Sequence, residues 1–564
     1  MAFQLSPSVV VTETDLTNII PAVSTSTTGL AGDFLWGPVG QIIPIDSEAQ
    51  LVSVFGAPTK VAYKDFLCAA SFLAYASNLQ VVRTDVTDAL NAVDFSDSAS
   101  PVPKVNNVHT YTPMDFVGSG QLWIAKCPGA YGNNVGVAFT DHAGYVAVNS
   151  HGNSTWTWTD GNGGHHTWNT LFTDAPAAAA GSQVAEFHIV VFDATGKITG
   201  HIGQPLETYG FVTVDQSALY YDGTKAFFKT KVNNGSSWLW VGDSALLSGK
   251  VDGVVLSGGS DGTIVHGDGA DQSRRMTAFD LFGDPESVDI SMIVQAGGDT
   301  VVGAYILQDI AEKRLDCIAL LSPMEADVVG LANTATVLEN VLTTRTAYGS
   351  SSYGVMDSAY KLIYDRYNDV NRWIPLNGDI AGLCAQTDNT NAPWFSPAGL
   401  NRGNIKNAIA LSYSEVLSTR DTLYQIGVNP CVVFPIQGAV LFGDKTMQSK
   451  PSAFDRINVR RLFITLEKAI STASKFLLFE QNDAVTQAQF VQMVEPFLRD
   501  VQARRGITDF RVVCNSTNNT PQVVDSNQFV ADIYIKPTRS INFIRLNFVA
   551  VASGVNFSEI VHSV

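Results

Sequence analysis

Two helical stripes of apolar residues follow one another in the stretch that begins at Ala453. The first stripe recurs at the spacing of one helix face and consists of Val459, Leu462, Phe463, Leu466, Ile470, Ala473 and Leu477. The second consists of Phe490, Val494, Phe497, Leu498 and Val501. Pro496 interrupts the second stripe, so the pattern predicts a kink there or a restart at Glu495. Gly506 stands where a C-cap is expected.

The apolar period then changes from that of a helix to that of a strand. Residues 510–514 predict one strand, and residues 529–535 alternate between two faces until Pro537 ends the run. A last apolar strand is predicted over residues 541–551. The pattern therefore indicates an α+β unit whose final strand lies close to the C-terminus.

The rest of the chain alternates between α/β and β-rich patterns. An isolated β-prone run at residues 9–12 is either frayed or paired with another sheet. A helix is predicted over residues 63–77 and a strand over residues 79–83. From residue 95 to 285, Gly, Asn, Ser and Asp punctuate short alternating runs, which indicates β structure.

Helix and strand patterns return after residue 285. They predict strands over residues 288–294 and 317–321, with a helix over residues 300–314 between them. The stretch 142–182, which contains Trp156, Trp158 and Trp168, is expected to be a solvent-facing elaboration. The fold class is therefore multidomain α+β, with α/β and α+β domains and a β-rich block between residues 95 and 285.

Composition narrows the class of protein. A chain of 564 residues has room for three or four domains of about 150 residues each. It is 45% hydrophobic but only 16% charged, which fits a subunit buried against its own copies or a large monomer with an extensive core. The net charge of −18 argues against nucleic-acid binding. Residues 1–8 lack a basic n-region and an apolar run, so we expect no signal peptide, and no apolar run approaches the ~20 residues of a membrane helix.

The charge is unevenly distributed along the chain. From Ala453 onward there are 12 basic and 10 acidic residues, whereas the preceding part holds 23 basic and 43 acidic residues. The C-terminal part thus lacks the excess of acidic residues found in the rest of the chain. The six cysteines are scattered singly and predict free core thiols rather than a zinc site or a disulfide framework.

Three clusters could bind an ion, and each has a plainer interpretation. His151, His165 and His166 lie near Asp160 without fixed ligand spacing, which favours a solvated loop. Asp261, Asp268 and Asp271 lack the EF-hand order and its closing Glu. Residues 295–300 could cradle a phosphate but have neither a dinucleotide fingerprint nor a P-loop lysine. No catalytic motif is present, so we expect no cofactor and no enzyme activity.

Several longer runs resemble the contractile tail sheath proteins of myovirus bacteriophages. In the C-terminal part these runs are residues 452–463, 478–483, 529–537 and 540–543. Further runs are residues 36–38, 55–58, 128–134, 374–382, 394–403, 424–430 and 441–446. Many runs in the family's order are more specific than any single motif.

The resemblance implies a domain plan. It places an N-terminal arm at 1–22 and a central domain at 23–94 and 286–450. A protruding β-rich insert is expected at 95–285, a C-terminal inner domain at 451–540 and a C-terminal strand arm at 541–564.

The resemblance also implies a function. The chain would polymerise helically around a tail tube in the virion, after assembly in the host cytoplasm, and contract to drive the tube through the host envelope. Expected partners are further copies, the tail tube protein, and baseplate and tail terminator proteins, without nucleic acid or membrane insertion. A static β-rich virion or surface structural protein is the alternative. A glycan-active enzyme using the Trp-rich loop is a third possibility.

Two sets of residues are expected to make the contacts between subunits and with the tube. Terminal strands of each subunit would join a neighbour's sheet by β-augmentation through Val9, Val10, Val11, Thr12, Phe543, Ile544, Leu546, Phe548 and Val549. Arg461, Lys468 and Lys475 are seven residues apart on the first helix, and none has an acidic residue three or four positions away. They are expected to face the tube or to form a solvated helix face, with Arg504 and Arg505 as second choice.

Overall fold

The chain divides into two compact units, Met1–Glu480 and Gln481–Val564. The computed structural model describes residues 24–60, 62–94, 102–145, 157–160, 164–178, 185–248, 251–413, 415–542 and 544–546. This division falls thirty residues after the expected boundary at 450, because the first long helix of the C-terminal stretch packs within the first unit.

The strands of the described residues, in chain order, are β1 (Thr28–Gly32), β2 (Ile42–Ile45), β3 (Leu79–Arg83), β4 (Trp123–Ala125), β5 (Val135–Asp141), β6 (Thr157–Thr159), β7 (His165–Thr167), β8 (Glu186–Asp193), β9 (Pro205–Thr213), β10 (Leu239–Val241), β11 (Val251–Val255), β12 (Met292–Val294), β13 (Ile318–Leu321), β14 (Gly354–Asp357), β15 (Tyr360–Asp365), β16 (Val370–Pro375), β17 (Ala410–Leu411), β18 (Val428–Asn429), β19 (Cys431–Phe434), β20 (Gly438–Leu441), β21 (Ile507–Val513) and β22 (Asp532–Pro537).

The α-helices of the same residues are α1 (Glu48–Phe55), α2 (Lys64–Leu73), α3 (Val108–Tyr111), α4 (Phe228–Gly235), α5 (Gly269–Asp280), α6 (Thr300–Tyr305), α7 (Glu312–Arg314), α8 (Glu325–Val328), α9 (Thr334–Tyr348), α10 (Asn377–Thr390), α11 (Leu417–Gln425), α12 (Ile457–Ser474), α13 (Ala484–Ala503) and α14 (Pro521–Asp525). A π-helical segment, Ile306–Ala311, joins α6 to α7.

A seven-stranded sheet forms the centre of the first unit. Its strand order is β18-β14-β13-β12-β1-β3-β2, and every pair is parallel except β2 with β3. Apart from the edge strand β2, the strands are short, largely apolar and mostly buried, as parallel strands covered by helices are. Phe66 of α2 and Ile380 of α10 lie in the core on one side, and Phe279 of α5 and Val341 of α9 lie in the core on the other.

The β-rich block follows β3 and holds strands β4 to β11. Its main sheet is antiparallel with the order β11-β5-β8-β9, and β4 pairs with β10. Helix α5 lies within the expected range of the insert but packs in the same core as β12 and β13. The last strand of the block, β11, ends at Val255, well before residue 285.

The stretch 142–182 is not wholly a solvent-facing elaboration. Trp168 is 1% exposed, Tyr145 is 4% exposed, and both pack with Phe172 against Val190 and Phe192 of the block's sheet. The expectation is wrong for Trp168, because its ring completes a core that composition alone does not reveal. Trp156 lies outside the described residues.

Several local predictions are confirmed. The strand over residues 79–83 is β3, and the helix over residues 300–314 is present as α6, the π-helical segment and α7. The predicted helix over residues 63–77 is shorter, as α2. All six cysteines are buried and free.

The second unit packs helix α13 on an antiparallel pair of strands, β21 and β22. The Asp483 carboxylate caps the helix by accepting from the N–H groups of Val485 and Thr486. The helix runs unbroken through Pro496, so the predicted restart at Glu495 is absent. Arg505, not Gly506, holds the left-handed position after the helix, with φ at 66°.

The two predicted arms are described only in part. Residues 9–12 lie outside the described part of the chain, as do Phe543, Phe548 and Val549. The described residues of the predicted last strand, 541–542 and 544–546, are not in a strand. Among the helices of the described residues, none combines the length and apolar character needed to cross a membrane.

Candidate assembly surfaces

The sheet of the second unit is a narrow ribbon with one covered face. In β22 the side chains alternate, so that Ile533 and Ile535 are half-buried while Asp532 and Tyr534 are exposed. Arg511 lies opposite Tyr534 on the exposed face, and Asp509 pairs with Lys536 at 3.2 Å. Among the described residues, no third strand pairs with either edge. Unpaired strand edges of this kind are templates for pairing with another chain.

The chain that follows the ribbon is apolar and exposed. Ile541 is 82% exposed, Ile544 is 78% exposed and Leu546 is 71% exposed. Three large aliphatic side chains are exposed within six residues, among the residues that the structure describes, which makes this segment a candidate for a contact with another chain. Ile544 and Leu546 are two of the predicted strand-exchange residues, and the structure leaves both accessible.

The large sheet of the first unit is a poor acceptor by comparison. Its edge strand β2 carries Pro44, which has no backbone N–H to donate. The opposite edge strand, β18, contains only Val428 and Asn429, and both are buried. Of these two sheets, the ribbon of the second unit offers the open edges.

The predicted tube-facing stripe on α12 does not exist as a stripe. Arg461 is buried, and its guanidinium lies 2.6 Å from the Asp388 carboxylate of α10. It also donates to the carbonyl oxygens of Cys384 and Thr25. Burial opposes the charged form, but the carboxylate of Asp388 raises the pKa of Arg461. Arg461 therefore holds the core together and is not available at the surface, so the expectation is wrong for this residue.

The two lysines of the predicted stripe are paired with acidic residues of a loop that is far away in sequence. Lys468 forms an ion pair with Asp289 and donates to the carbonyl oxygen of Ile290 at 3.1 Å. Lys475 lies 3.8 Å from Glu286, with side chains 60% and 81% exposed. The local spacing rule found no partner for these lysines because their partners are on another element.

Sequence reasoning missed a buried ionic network around Arg275. This guanidinium lies 2.8 Å from Asp33, 2.9 Å from Asp65 and 2.9 Å from Asp271. Burial alone would raise the pKa of Asp65, but Arg275 lowers it below its usual value. The network joins α5 to α2 and to the loop after β1. The one local clue is that Asp271 and Arg275 are four residues apart.

The predicted acidic loop has structural roles. Asp268 caps α5, Asp271 pairs with Arg275, and Asp261 accepts from the Ala130 N–H. The carboxylates of Asp33 and Asp271 and the imidazole of His266 lie within 4.8 Å of one another. Because Arg274 and Arg275 already occupy both carboxylates, this cluster disfavours a cation.

The other two clusters also have ordinary contacts. His166 lies 3.0 Å from Asp160, while His151 is outside the described residues. In the turn 295–300, the Gly297 N–H donates to Asp65 and Asp299 caps α6. These contacts fit structural roles for both stretches.

Comparison with known proteins shows similarity to phage tail sheath proteins. Residues 272–447 match the family model described as the phage tail sheath protein central domain, and residues 449–550 match the phage tail sheath C-terminal domain. The tail sheath proteins of Enterobacteria phage T4 and Vibrio phage KVP40 are each 32% identical, with 99% of both chains covered. The sheath tail protein of Listeria innocua has a similar fold, with a TM-score of 0.53 at 13% identity over 92% of this chain and 96% of that one.

Proposed function

Because the chain belongs to the family of phage tail sheath proteins, we propose that its subunits are joined by exchanging terminal strands through the ribbon of the second unit. The protein is a structural component of a contractile virion tail and not an enzyme, as expected. In the proposal, residues 9–12 and 541–551 of one subunit add to β21 and β22 of neighbouring subunits. Such β-augmentation uses main-chain hydrogen bonds for affinity.

The exposed apolar segment after β22 is the observation that carries this proposal. Among the described residues, Ile541, Ile544 and Leu546 are exposed to solvent, and the ribbon that precedes them has no third strand on either edge. A two-stranded ribbon is marginal on its own, and a third strand completes it. Both the donor and the acceptor are therefore incomplete until subunits meet.

The energies fit a mesh of many weak links. Each backbone hydrogen bond contributes about 0.5–1.5 kcal/mol net, so a strand of about six bonds contributes roughly 3–9 kcal/mol. Repeated over every subunit, these links hold the polymer together while the first units move as rigid bodies. Contraction then needs no nucleotide, since new contacts between subunits favour the contracted state.

The proposal also includes the contact with the tail tube, for which Lys475 is the first candidate. Its side chain is 60% exposed, and its pairing with Glu286 at 3.8 Å is long and exposed to solvent. Exposed pairs contribute less than about 1 kcal/mol, so this lysine can exchange its partner for a carboxylate of the tube. Arg504, 52% exposed, is the second candidate. Baseplate and tail terminator proteins at the ends of the polymer, and assembly in the host cytoplasm, belong to the same proposal.

Electron microscopy of the purified full-length protein tests the proposed assembly. Striated hollow tubes support subunits joined into a helical sheath. Dispersed monomers, under conditions in which the chain is folded by circular dichroism, contradict it and favour a static structural protein that needs other components.

A further inference from the structure

The hairpin of β19 and β20 carries a residue that is unfavourable for its own fold. Ile436 lies in the turn after Pro435, with φ at 81° and a side chain that is 102% exposed. A β-branched residue at positive φ is a genuine outlier, and turns favour Gly or Asn at such a position. The strained backbone places a large apolar side chain entirely in water.

Ile436 lies two residues after Phe434 in this hairpin, and further apolar side chains on and near the hairpin are exposed. The ring of Phe434 is 5.0 Å from that of Phe442, which is itself 44% exposed. The guanidinium of Arg420 lies 6.0 Å from the Phe442 ring. One turn before Arg420, helix α11 begins with exposed apolar side chains at 416 and 417. We call this surface the hairpin patch: Val416, Leu417, Arg420, Phe434, Ile436 and Phe442.

The size of the hairpin patch fits a partial interface. Val416 is 59% exposed and Leu417 is 65% exposed, in addition to Ile436 and Phe442. At roughly 150–200 Å² for a large side chain, these four expose on the order of 400–500 Å². That is as large as the largest patch on a typical monomer and about half of the ~800 Å² that one partner buries in a stable complex. Such a surface holds a partner only alongside a second contact, which strand exchange supplies.

The positive charge of Arg420 in the hairpin patch indicates that the partner surface is acidic. Within the residues that the structure describes, the Nε of Arg420 is buried without a hydrogen-bond partner, and the guanidinium charge acts on the buried Glu415 carboxyl without forming a salt bridge with it. A second copy of this chain, with a net charge of −18, offers many carboxylates. One such surface is the exposed loop 281–289, where Leu281 is 38% exposed and Glu286 is 81% exposed.

We propose that the hairpin patch docks against a second copy of this chain in the sheath, with Ile436 as an apolar knob and Arg420 meeting a carboxylate of the neighbour. This inference rests on the proposed assembly and names a contact made by the first unit, separate from the terminal strands. Strain concentrated in one exposed residue is expected where a surface is shaped for a partner.

The substitution Ile436→Asn tests the proposal because its two effects have opposite signs. Asn tolerates the left-handed backbone, so the monomer should melt at the same or a higher temperature. The polymer should be weaker, with the critical concentration for tube formation raised about tenfold or more by the lost burial. Arg420→Gln is the second variant and should weaken assembly with a reduced dependence on salt. Tyr221→Asn, at a fully exposed side chain of the β-rich block, is the matched control and should change neither property.

Three outcomes overturn the docking of a second copy. Normal tube formation by both Ile436→Asn and Arg420→Gln shows that the hairpin patch is not used, and it leaves strand exchange standing because the arms are intact. Tubes that form normally without a tail tube but fail to assemble around one show a different partner. A lower melting temperature of monomeric Ile436→Asn shows that Ile436 serves its own fold.

Discussion

Arg461 and Asp388 form a buried ion pair, with 2.6 Å between guanidinium and carboxylate and each side chain only 4% exposed. The pair joins helix α12 to helix α10 across the core of the first unit. The sequence spacing suggested that Arg461 belongs to a surface stripe, but this pair places Arg461 in the interior. The contribution of Arg461 to stability is therefore separate from the contact with the tube, and each can be measured.

Breaking this pair should destabilise the first unit. Arg461→Leu leaves Asp388 buried without its partner, and such a change costs about 3–5 kcal/mol of unfolding free energy. Urea unfolding followed by circular dichroism measures the loss. Lys475→Leu, at the residue directly after the same helix, is the control and should change the unfolding free energy by less than about 0.5 kcal/mol, because that side chain is mostly exposed. Equal effects of the two variants would contradict the burial of Arg461.

The Trp168 ring should matter to the β-rich block. Trp168→Ala removes a side chain that is 1% exposed and should cost about 3–5 kcal/mol. A thermal melt of the full chain measures the change, with Tyr221→Ala as the exposed control. Removal of residues 142–181 should expose Val190 and Phe192 and have a similar effect. A deletion variant as stable as the parent chain would rule out this core.

Periodicity predicted the elements whose contacts are local or repeated. The stripe from Val459 to Ala473 indicated α12, and the short apolar run at residues 79–83 indicated β3. Two interpretations failed because they depend on tertiary structure. Asp388 and Asp289 are far from α12 in sequence, so no spacing rule pairs them with Arg461 and Lys468.

The C-terminal segment shows a different limit of the sequence pattern. Its apolar residues predict a strand over residues 541–551, yet the described residues of this segment are not in a strand and Ile541, Ile544 and Leu546 are exposed. A strand needs a neighbour for its hydrogen bonds, and the pattern cannot say whether that neighbour belongs to the same chain. The hairpin patch was missed for a similar reason, since the positive φ of Ile436 is visible only in the structure.

Glu415 should make stability depend on pH. Burial raises the pKa of Glu415 to about 7, against the opposing effects of Ser358, Tyr413 and Arg420. Because the folded pKa lies above the unfolded value of about 4.5, its contribution is complete below pH 4.5 and is lost as the pH rises through 7. At about 1.4 kcal/mol for each pKa unit, the loss is on the order of 3 kcal/mol.

Urea unfolding between pH 4.5 and 8 tests this prediction with Glu415→Gln as the comparison. The amide keeps the acceptor for the Ser358 hydroxyl but does not ionise. The parent chain should lose unfolding free energy over this range relative to the variant. A difference between parent and variant that is constant with pH would contradict the prediction.

The two arms should be needed for polymerisation but not for folding. Deletion of residues 1–20, or of residues 548–564, should leave the circular dichroism spectrum of the monomer unchanged and abolish tubes in sedimentation. Deletion of residues 1–6 retains Val9 to Thr12 and is the control, which should form tubes. Unfolding of the long deletions, or tubes formed as well as by the control, would overturn this role for the arms.

Cryo-electron microscopy of the tubes formed by the full-length chain tests strand exchange most directly. The density around β21 and β22 shows how many strands the sheet contains and to which subunit each belongs. The account predicts that strands from residues 9–12 and 541–551 of neighbouring subunits pair with the open edges of this ribbon. A ribbon of two strands in the polymer, with both arms packed on their own subunit, would contradict it.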